Sequence, residues 1–221
     1  MSFNDSDILR EKIAIGEGIN LDFKHSIKDS KKIARSLAAF ANTQGGSLLV
    51  GVRDNGSIAG VNSDEEYYMI ETAALLYTKP NVKFEHKNWV IDGKNILEIV
   101  VKKSNERPHY APDQNDELKA YIRVQDENFI AHKIIVDYWK RKQKDFKGIK
   151  LIYDDVVETL FNEISENGSI TKSQLVRITG IKSQKANTLL TNLMLMEIID
   201  AEIIENNTRF IFHPNYINDL E

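Results

Sequence analysis

The stretch from Ala38 to Val61, AAFANTQGGSLLVGVRDNGSIAGV, constrains the fold more than any other. It reads as the end of a helix, a tight turn at Gly45-Gly46, a strand from Ser47 to Val52, and a polar turn at Asp54-Asn55-Gly56. A continuous apolar run bounded by glycine turns predicts a central strand covered on both faces. Just upstream, Ile19, Leu21 and Phe23 alternate with Asn20, Asp22 and Lys24, the period of a half-buried strand. The helix between these strands starts at a cap, Asp29 or Ser30. It places Ile33, Ala34, Leu37, Ala38 and Ala41 on one face. Lys28, Lys31, Lys32 and Arg35 follow i, i+3, i+4, i+7 and form a basic stripe on another.

Further elements follow from similar signals. Asp7 to Ile15 predicts a short helix. Ser63-Asp-Glu-Glu66 has a capping-box pattern and opens a helix to about Thr78, stopped before Lys79-Pro80. Val82 to Ile91 and Asn95 to Val101, joined at Asp92-Gly93, predict a hairpin. Arg107-Pro108 marks a loop, and Leu118 to Val124 a strand in which Tyr121 and Arg123 share a face. Ala131 to Lys144 is a helix with a basic end. Mixed helices and antiparallel hairpins predict an α+β domain.

Charge divides the chain near residue 146. Residues 1–146 carry 22 basic and 22 acidic side chains, and residues 147–221 carry 7 and 11. We therefore expect a first domain at 1–146 and a second at 147–221. The second reads as three helices, Tyr153–Glu166, Thr171–Thr179 and Ser183–Met196. A hairpin follows, Ile198–Ile204 and Thr208–His213, turning at Glu205-Asn206-Asn207. That order is the order of a winged helix-turn-helix.

Composition excludes several chemistries. With no cysteine among 221 residues, disulfides, thiolate metal sites and cysteine nucleophiles are absent. That composition suits a reducing cytoplasm, the expected location. The first residues lack the apolar run of a signal peptide, and no stretch approaches the roughly 20 apolar residues of a membrane span. A net charge of −4 provides no global basic field, so nucleic-acid binding needs a local patch. No G-x-x-x-x-G-K-[ST] or G-x-G-x-x-G is present. The five histidines show no ligand spacing; His109 stands out because it follows Arg107-Pro108 in a loop.

Two sets of residues carry candidate chemistry. Glu17, Asp22 and Asp54 are placed near one end of the sheet. Glu17 and Asp22 are five apart, so they converge only if the chain bends, which Gly18 allows. Three converging carboxylates would hold Mg²⁺ or Mn²⁺, which can activate water against a phosphodiester. The other set is cationic and polar. In the second domain the third helix would be the recognition helix. It offers Lys182, Ser183, Gln184, Lys185, Asn187, Thr188 and Thr191, with Arg209 on the hairpin. Glu202 and Glu205 oppose them on the wing.

LDFK at Leu21–Lys24, AFANTQGG at Ala39–Gly46, LLVGVRDNGSIAGV at Leu48–Val61, RPHYA at Arg107–Ala111 and AYIRV at Ala120–Val124 resemble the Schlafen/AlbA-like DNA-binding domain family. The resemblance covers about residues 10–135. It implies a mixed-sheet domain, here followed by a small winged helix. Bacterial members with that second domain are described as transcriptional regulators, some with an ATP-binding description that no Walker motif supports here. Other members cleave tRNA and rRNA with three carboxylates, which Glu17, Asp22 and Asp54 match in order. Asp22 stands where the family usually has Glu. Schlafen cores contain two such lobes around a basic groove; one lobe here implies a homodimer.

The leading expectation is a nucleic-acid-binding protein, a DNA-binding transcriptional regulator. It would contact DNA or RNA through Lys24, Lys28, Lys31, Lys32, Arg35 and Arg123, and through Lys182, Gln184, Lys185, Asn187 and Arg209. Two other readings fit the same residues. One is a Mg²⁺- or Mn²⁺-dependent endoribonuclease using Glu17, Asp22 and Asp54; the other is a protein-interaction module that binds no nucleic acid.

Overall fold

In the computed structural model, residues 5–144, 148–204 and 207–218 are described. The chain divides into two compact units, residues 1–130 and 131–221. The compositional boundary at 146 and the turn residues Glu205 and Asn206 lie outside the described residues.

The first unit is mixed α+β. Its helices are α1 (Asp5–Ile15), α2 (Ser30–Asn42) and α3 (Ser63–Tyr77). Strands β1 (Leu21–Lys24), β2 (Gly45–Val50), β3 (Glu85–Ile91) and β4 (Lys94–Lys102) form one sheet in the order β1-β2-β4-β3. β1 runs parallel to β2, and the other pairs are antiparallel. The run at Leu48–Val50 is central, as its apolarity requires. Leu48 and Val50 pack with α2 and α3, while Leu49 joins Leu9, Ile13 and Phe23 on the α1 side. A strand covered on both faces has no need of polar alternation.

A second sheet, β5 (Tyr110–Pro112), β6 (Leu118–Val124) and β7 (Glu127–Ile130), lies against α2. This sheet changes the reading of α2. Ser36, Ala39, Phe40 and Asn42 are buried along with the expected face, because the helix is covered on two sides. Small alanines allow that close approach. At the end of α2, buried Asn42 satisfies three backbone groups. Its Nδ2 donates to the carbonyls of His109 and Tyr121, both at 2.8 Å, and its Oδ1 accepts from His109 N–H at 2.8 Å. The amide thus ties the Arg107–Ala111 loop and β6 to α2.

Local signals met different fates. Asp29 caps α2, accepting from the N–H groups of Lys31 and Lys32. The hairpin turns at Asp92 and Gly93, both with positive φ. The capping box at residues 63–66 does not form. Asn62 precedes α3 without a side-chain cap, and buried Glu66 instead accepts Ile27 N–H at 2.8 Å. A tertiary acceptor site for that amide outcompetes the local cap. β1 is buried at Leu21, Asp22 and Phe23 rather than half-buried, since α1 and Arg123 cover its two faces.

The second unit contains α4 (Lys133–Lys142), α5 (Asp155–Asn167), α6 (Lys172–Thr179), α7 (Ser183–Leu195) and α8 (Pro214–Asn218). Strands β8 (Ile170–Thr171), β9 (Ile199–Ile204) and β10 (Asn207–Phe212) form a small sheet ordered β8-β10-β9. Its core gathers Leu160, Ile164, Leu175, Leu190, Leu193 and Phe210, with Ile134 of α4 included. Gly168 and Gly180 end α5 and α6 in the left-handed conformation that glycine adopts most cheaply.

Gly46 shows how tightly the family-like stretch is packed. A Cβ there would fall against the Phe40 ring and 2.9 Å from the carbonyl oxygen of Asn20. Gly46→Ala should therefore destabilise the chain by about 1–3 kcal/mol, the usual range for overpacking. In urea unfolding, the expected outcome is a lower midpoint with an unchanged slope.

Candidate nucleic-acid interface

The acidic residues separate along β1. A turn formed by Gly18 and Leu21, with Gly18 N–H donating to Leu21 O at 2.9 Å, folds Glu17 back toward the strand. Glu17 Oε1 then accepts Phe23 N–H at 2.7 Å, beside Asp22. The bend expected at Gly18 therefore exists. Burial pushes the Glu17 carboxyl above its ordinary range, and the neighbouring Asp22 adds to the rise against the Phe23 amide and Lys24.

Asp22 is itself buried and already neutralised. Lys24 Nζ lies 3.0 Å from each of its oxygens, and Arg123 Nη2 lies 3.3 Å from Oδ1. Asp54 does not join this pair. It lines a separate hollow with Arg10, Ile13 and Phe23. The alternation of β1 explains the separation, because adjacent Asp22 and Phe23 point to opposite faces of the sheet. Among the described residues, no three His, Asp or Glu side chains gather closely enough to hold a metal ion. The expected Mg²⁺ or Mn²⁺ site at Glu17, Asp22 and Asp54 is thus not assembled. Asp22 is instead ion-paired with two cations, Lys24 and Arg123.

The cations around β1 and α2 line a groove of about 640 Å³. Lys24, Lys28, Lys32 and Arg35 border it, together with Asp29, Asp126, Glu127 and Asn128. Lys28 and Lys32 are exposed. Lys31 is turned aside, with its ammonium 2.6 Å from Asp116 Oδ1 on the β5–β6 turn. Arg35 Nε donates to the carbonyl of Pro112 at 2.7 Å.

Arg123 departs most from expectation. Its side chain is only 1% exposed. Nε donates to Gly18 O at 2.8 Å, Nη2 to Leu21 O at 3.1 Å, and Nη1 to Asn128 Oδ1 at 3.2 Å. The guanidinium also lies over the Phe40 ring, 4.9 Å from its centre. It is a structural cation that holds β6, β1 and α2 together, and its donors are used within the protein.

In the second unit, the first turns of α7 expose Ser183, Gln184, Lys185 and Thr188, with Lys182 exposed just before them. Lys185 lies 3.7 Å from Asp154 Oδ2. Asn187 is half-buried, and its Oδ1 has no hydrogen-bond partner. Thr191 is buried and packs inward, contrary to the contact role expected for it. Arg209 is exposed on β10, paired across the ladder with Glu202 of β9 and Thr171 of β8. Glu205 lies outside the described residues.

His109 is buried rather than presented by its loop. Nδ1 lies 2.8 Å from Pro80 O, and Nε2 lies 2.7 Å from Ser104 Oγ. The acidic side of the groove, Asp126 and Glu127, was not anticipated from sequence. The β6–β7 turn is built on Gln125 at φ 54° rather than on Asn-Gly, and the four-residue strand after it shows no apolar alternation. The positive φ at a non-glycine residue left no mark on the sequence.

Residues 17–132 match a family model described as Schlafen, AlbA_2. Two solved structures are similar to the chain. The DIP2311 protein from Corynebacterium diphtheriae is 21% identical, over 72% of this chain and 32% of its own length, with a TM-score of 0.41. The N-terminal domain of a RecG-related protein from Nitrosomonas europaea is 17% identical, over 68% of this chain and 94% of its own, also with a TM-score of 0.41. The chain thus spans about a third of the DIP2311 chain. No curated protein matches it.

The Glu17–Asp22 pair generates a pH-dependent expectation. A carboxyl whose pKa is raised by folding favours the folded state below its unfolded value, near 4.5, and loses that contribution as pH rises through the folded value. Glu17→Gln keeps an acceptor for Phe23 N–H and removes the charge facing Asp22. Thermal unfolding should show the variant more stable than the parent at pH 7, with the difference vanishing toward pH 4. An unchanged difference across that range would contradict the upward shift of the Glu17 carboxyl by burial and by Asp22.

Proposed function

Because this chain belongs to the Schlafen AlbA_2 family, we propose that it binds nucleic acid through the groove between β1 and α2. The observation that carries the reading is the exposed pair Lys28 and Lys32 at the groove wall, with Lys24 and Arg35 beside them. These side chains are long and cationic and come from β1 (Lys24), the segment just before α2 (Lys28) and α2 itself (Lys32 and Arg35), which suits contacts to backbone phosphates. Asp29, Asp126 and Glu127, which share the groove lining, would repel a strand lying across the whole groove. The polyanion is therefore expected along the α2 side.

We read the second unit as a winged helix-turn-helix, and the whole chain as a cytoplasmic DNA-binding transcriptional regulator acting as a homodimer. Support comes from the element order α5, α6, α7 and hairpin, and from the exposed Lys182, Gln184 and Lys185 at the start of α7. A helix entering the major groove reads base edges with its N-terminal residues. Arg209 on the hairpin would touch flanking phosphate. Two copies would double a cationic surface that is modest in one. Among the described residues, no helix is long and apolar enough to cross a membrane.

Fluorescence anisotropy with a labelled duplex tests both surfaces. Affinity should fall linearly on a log–log plot against salt, because each neutralised phosphate releases counterions. Replacing both Lys28 and Lys32 by Ala should reduce the slope by about 2, roughly one per lost phosphate contact. Replacing Lys182 and Lys185 should weaken binding without abolishing the groove's contribution. Binding that is flat between low and physiological salt would overturn the proposal.

A further inference from the structure

We propose that Ser104 and His109 form a nucleophile–base pair in a second site, one that accepts small carboxylic esters with an apolar acyl group. The pair lines a pocket of about 400 Å³ beside β4, and none of the groove's lining residues belongs to it. The proposal is independent of nucleic-acid binding.

The tautomer follows from the partners. A backbone carbonyl only accepts, so the 2.8 Å contact to Pro80 O places the proton of His109 on Nδ1. Nε2 is then the unprotonated nitrogen, and Ser104 Oγ at 2.7 Å donates to it. This is the arrangement of a hydroxyl facing a base that a third group orients. Glu106 N–H donates to the same oxygen at 3.0 Å and fixes the hydroxyl, leaving its proton directed at the imidazole. Burial and the contacts of both ring nitrogens hold the imidazole in place, and Asn42 fixes the His109 backbone beneath it at both its N–H and its carbonyl. Burial, the largest influence, also holds the imidazole below its usual pKa of 6.5 and keeps it a base at neutral pH.

The pocket's walls indicate the substrate class. Val82, Phe84 and Val100 supply apolar surface for an acyl group, while Lys83, Lys103, the Lys102–Glu85 ion pair and Glu106, whose carboxylate favours the charged imidazole of His109, supply the charged part of the lining. Ser104 Oγ would attack the ester carbonyl carbon as its proton passes to Nε2. The carbon–oxygen bond to the alcohol breaks, and the departing alkoxide takes the proton from the imidazolium. Water then repeats the sequence on the acyl-serine. Its proton goes to Nε2, its oxygen bonds the carbonyl carbon, and Ser104 recovers its proton as the acid leaves.

The test uses the full-length chain and a fluorophosphonate probe, with adducts mapped by peptide mass spectrometry. The attacking Oγ forms a bond to phosphorus as fluoride leaves. The expected result is one adduct, on Ser104, absent in Ser104→Ala and unchanged in Ser57→Ala, an exposed turn serine. Its rate in the unaltered chain should fall as pH drops through a value below 6.5. His109→Gln should slow labelling by about 10²- to 10⁴-fold, the usual contribution of a general base. Should that variant fail to fold, the pH profile of the unaltered chain carries the decision. No adduct at Ser104, labelling spread over exposed serines, or a Ser104 rate independent of pH would each overturn the proposal.

Discussion

The structure of the first unit depends on one buried cation. Arg123 is out of water, and a guanidinium is tolerated there only when its donors are used and a counter-charge is near. Carbonyls of Gly18 and Leu21, the amide oxygen of Asn128 and the carboxylate of Asp22 meet that demand. The acceptors come from the turn before β1, from β1 itself and from β7. Satisfying one side chain therefore sets the position of β1 against the second sheet. Phe40 beneath the guanidinium adds α2 to the same assembly.

That constraint also decides what the surrounding residues do. Arg123 and Lys24 compensate Asp22, so this carboxylate serves the fold. Asp54 stands with Phe23 at another hollow, one that Asp22 does not line. What is left at the groove for a polyanion is the cationic margin of α2. The margin is short and shares the groove with Asp29, Asp126 and Glu127. In our proposal, recognition would therefore rest on a few phosphate contacts, supplemented by the first turn of α7.

Local signals were legible wherever backbone chemistry alone sets the outcome. Asp29 caps a helix and Asp92-Gly93 turns a hairpin, because each preference is intrinsic to the residue. The apolar run after Gly46 announced a central strand for the same reason. Glu66 was misread because a tertiary partner, Ile27 N–H, competes with the local cap. β5 and β7 went unseen because they are short and carry no period. The basic stripe at Lys28, Lys31, Lys32 and Arg35 was visible as spacing, yet Lys31 turned to Asp116, which is 85 positions away in sequence.

By itself, the sequence determined the mixed α+β class, the apolar central strand, the order of helices and hairpin in the second unit, and the family. Each depends on local propensity or on a contiguous motif. The turn expected at Gly45-Gly46, by contrast, falls at Thr43-Gln44, and both glycines belong to β2. Only the tertiary structure decided which charges face water. Whether Arg123, Asp22 and His109 are buried depends on elements brought together from distant parts of the chain, and no spacing records it. Desolvation then turned an expected phosphate contact into a structural cation and an expected metal ligand into its partner. It also left a loop histidine enclosed against Ser104.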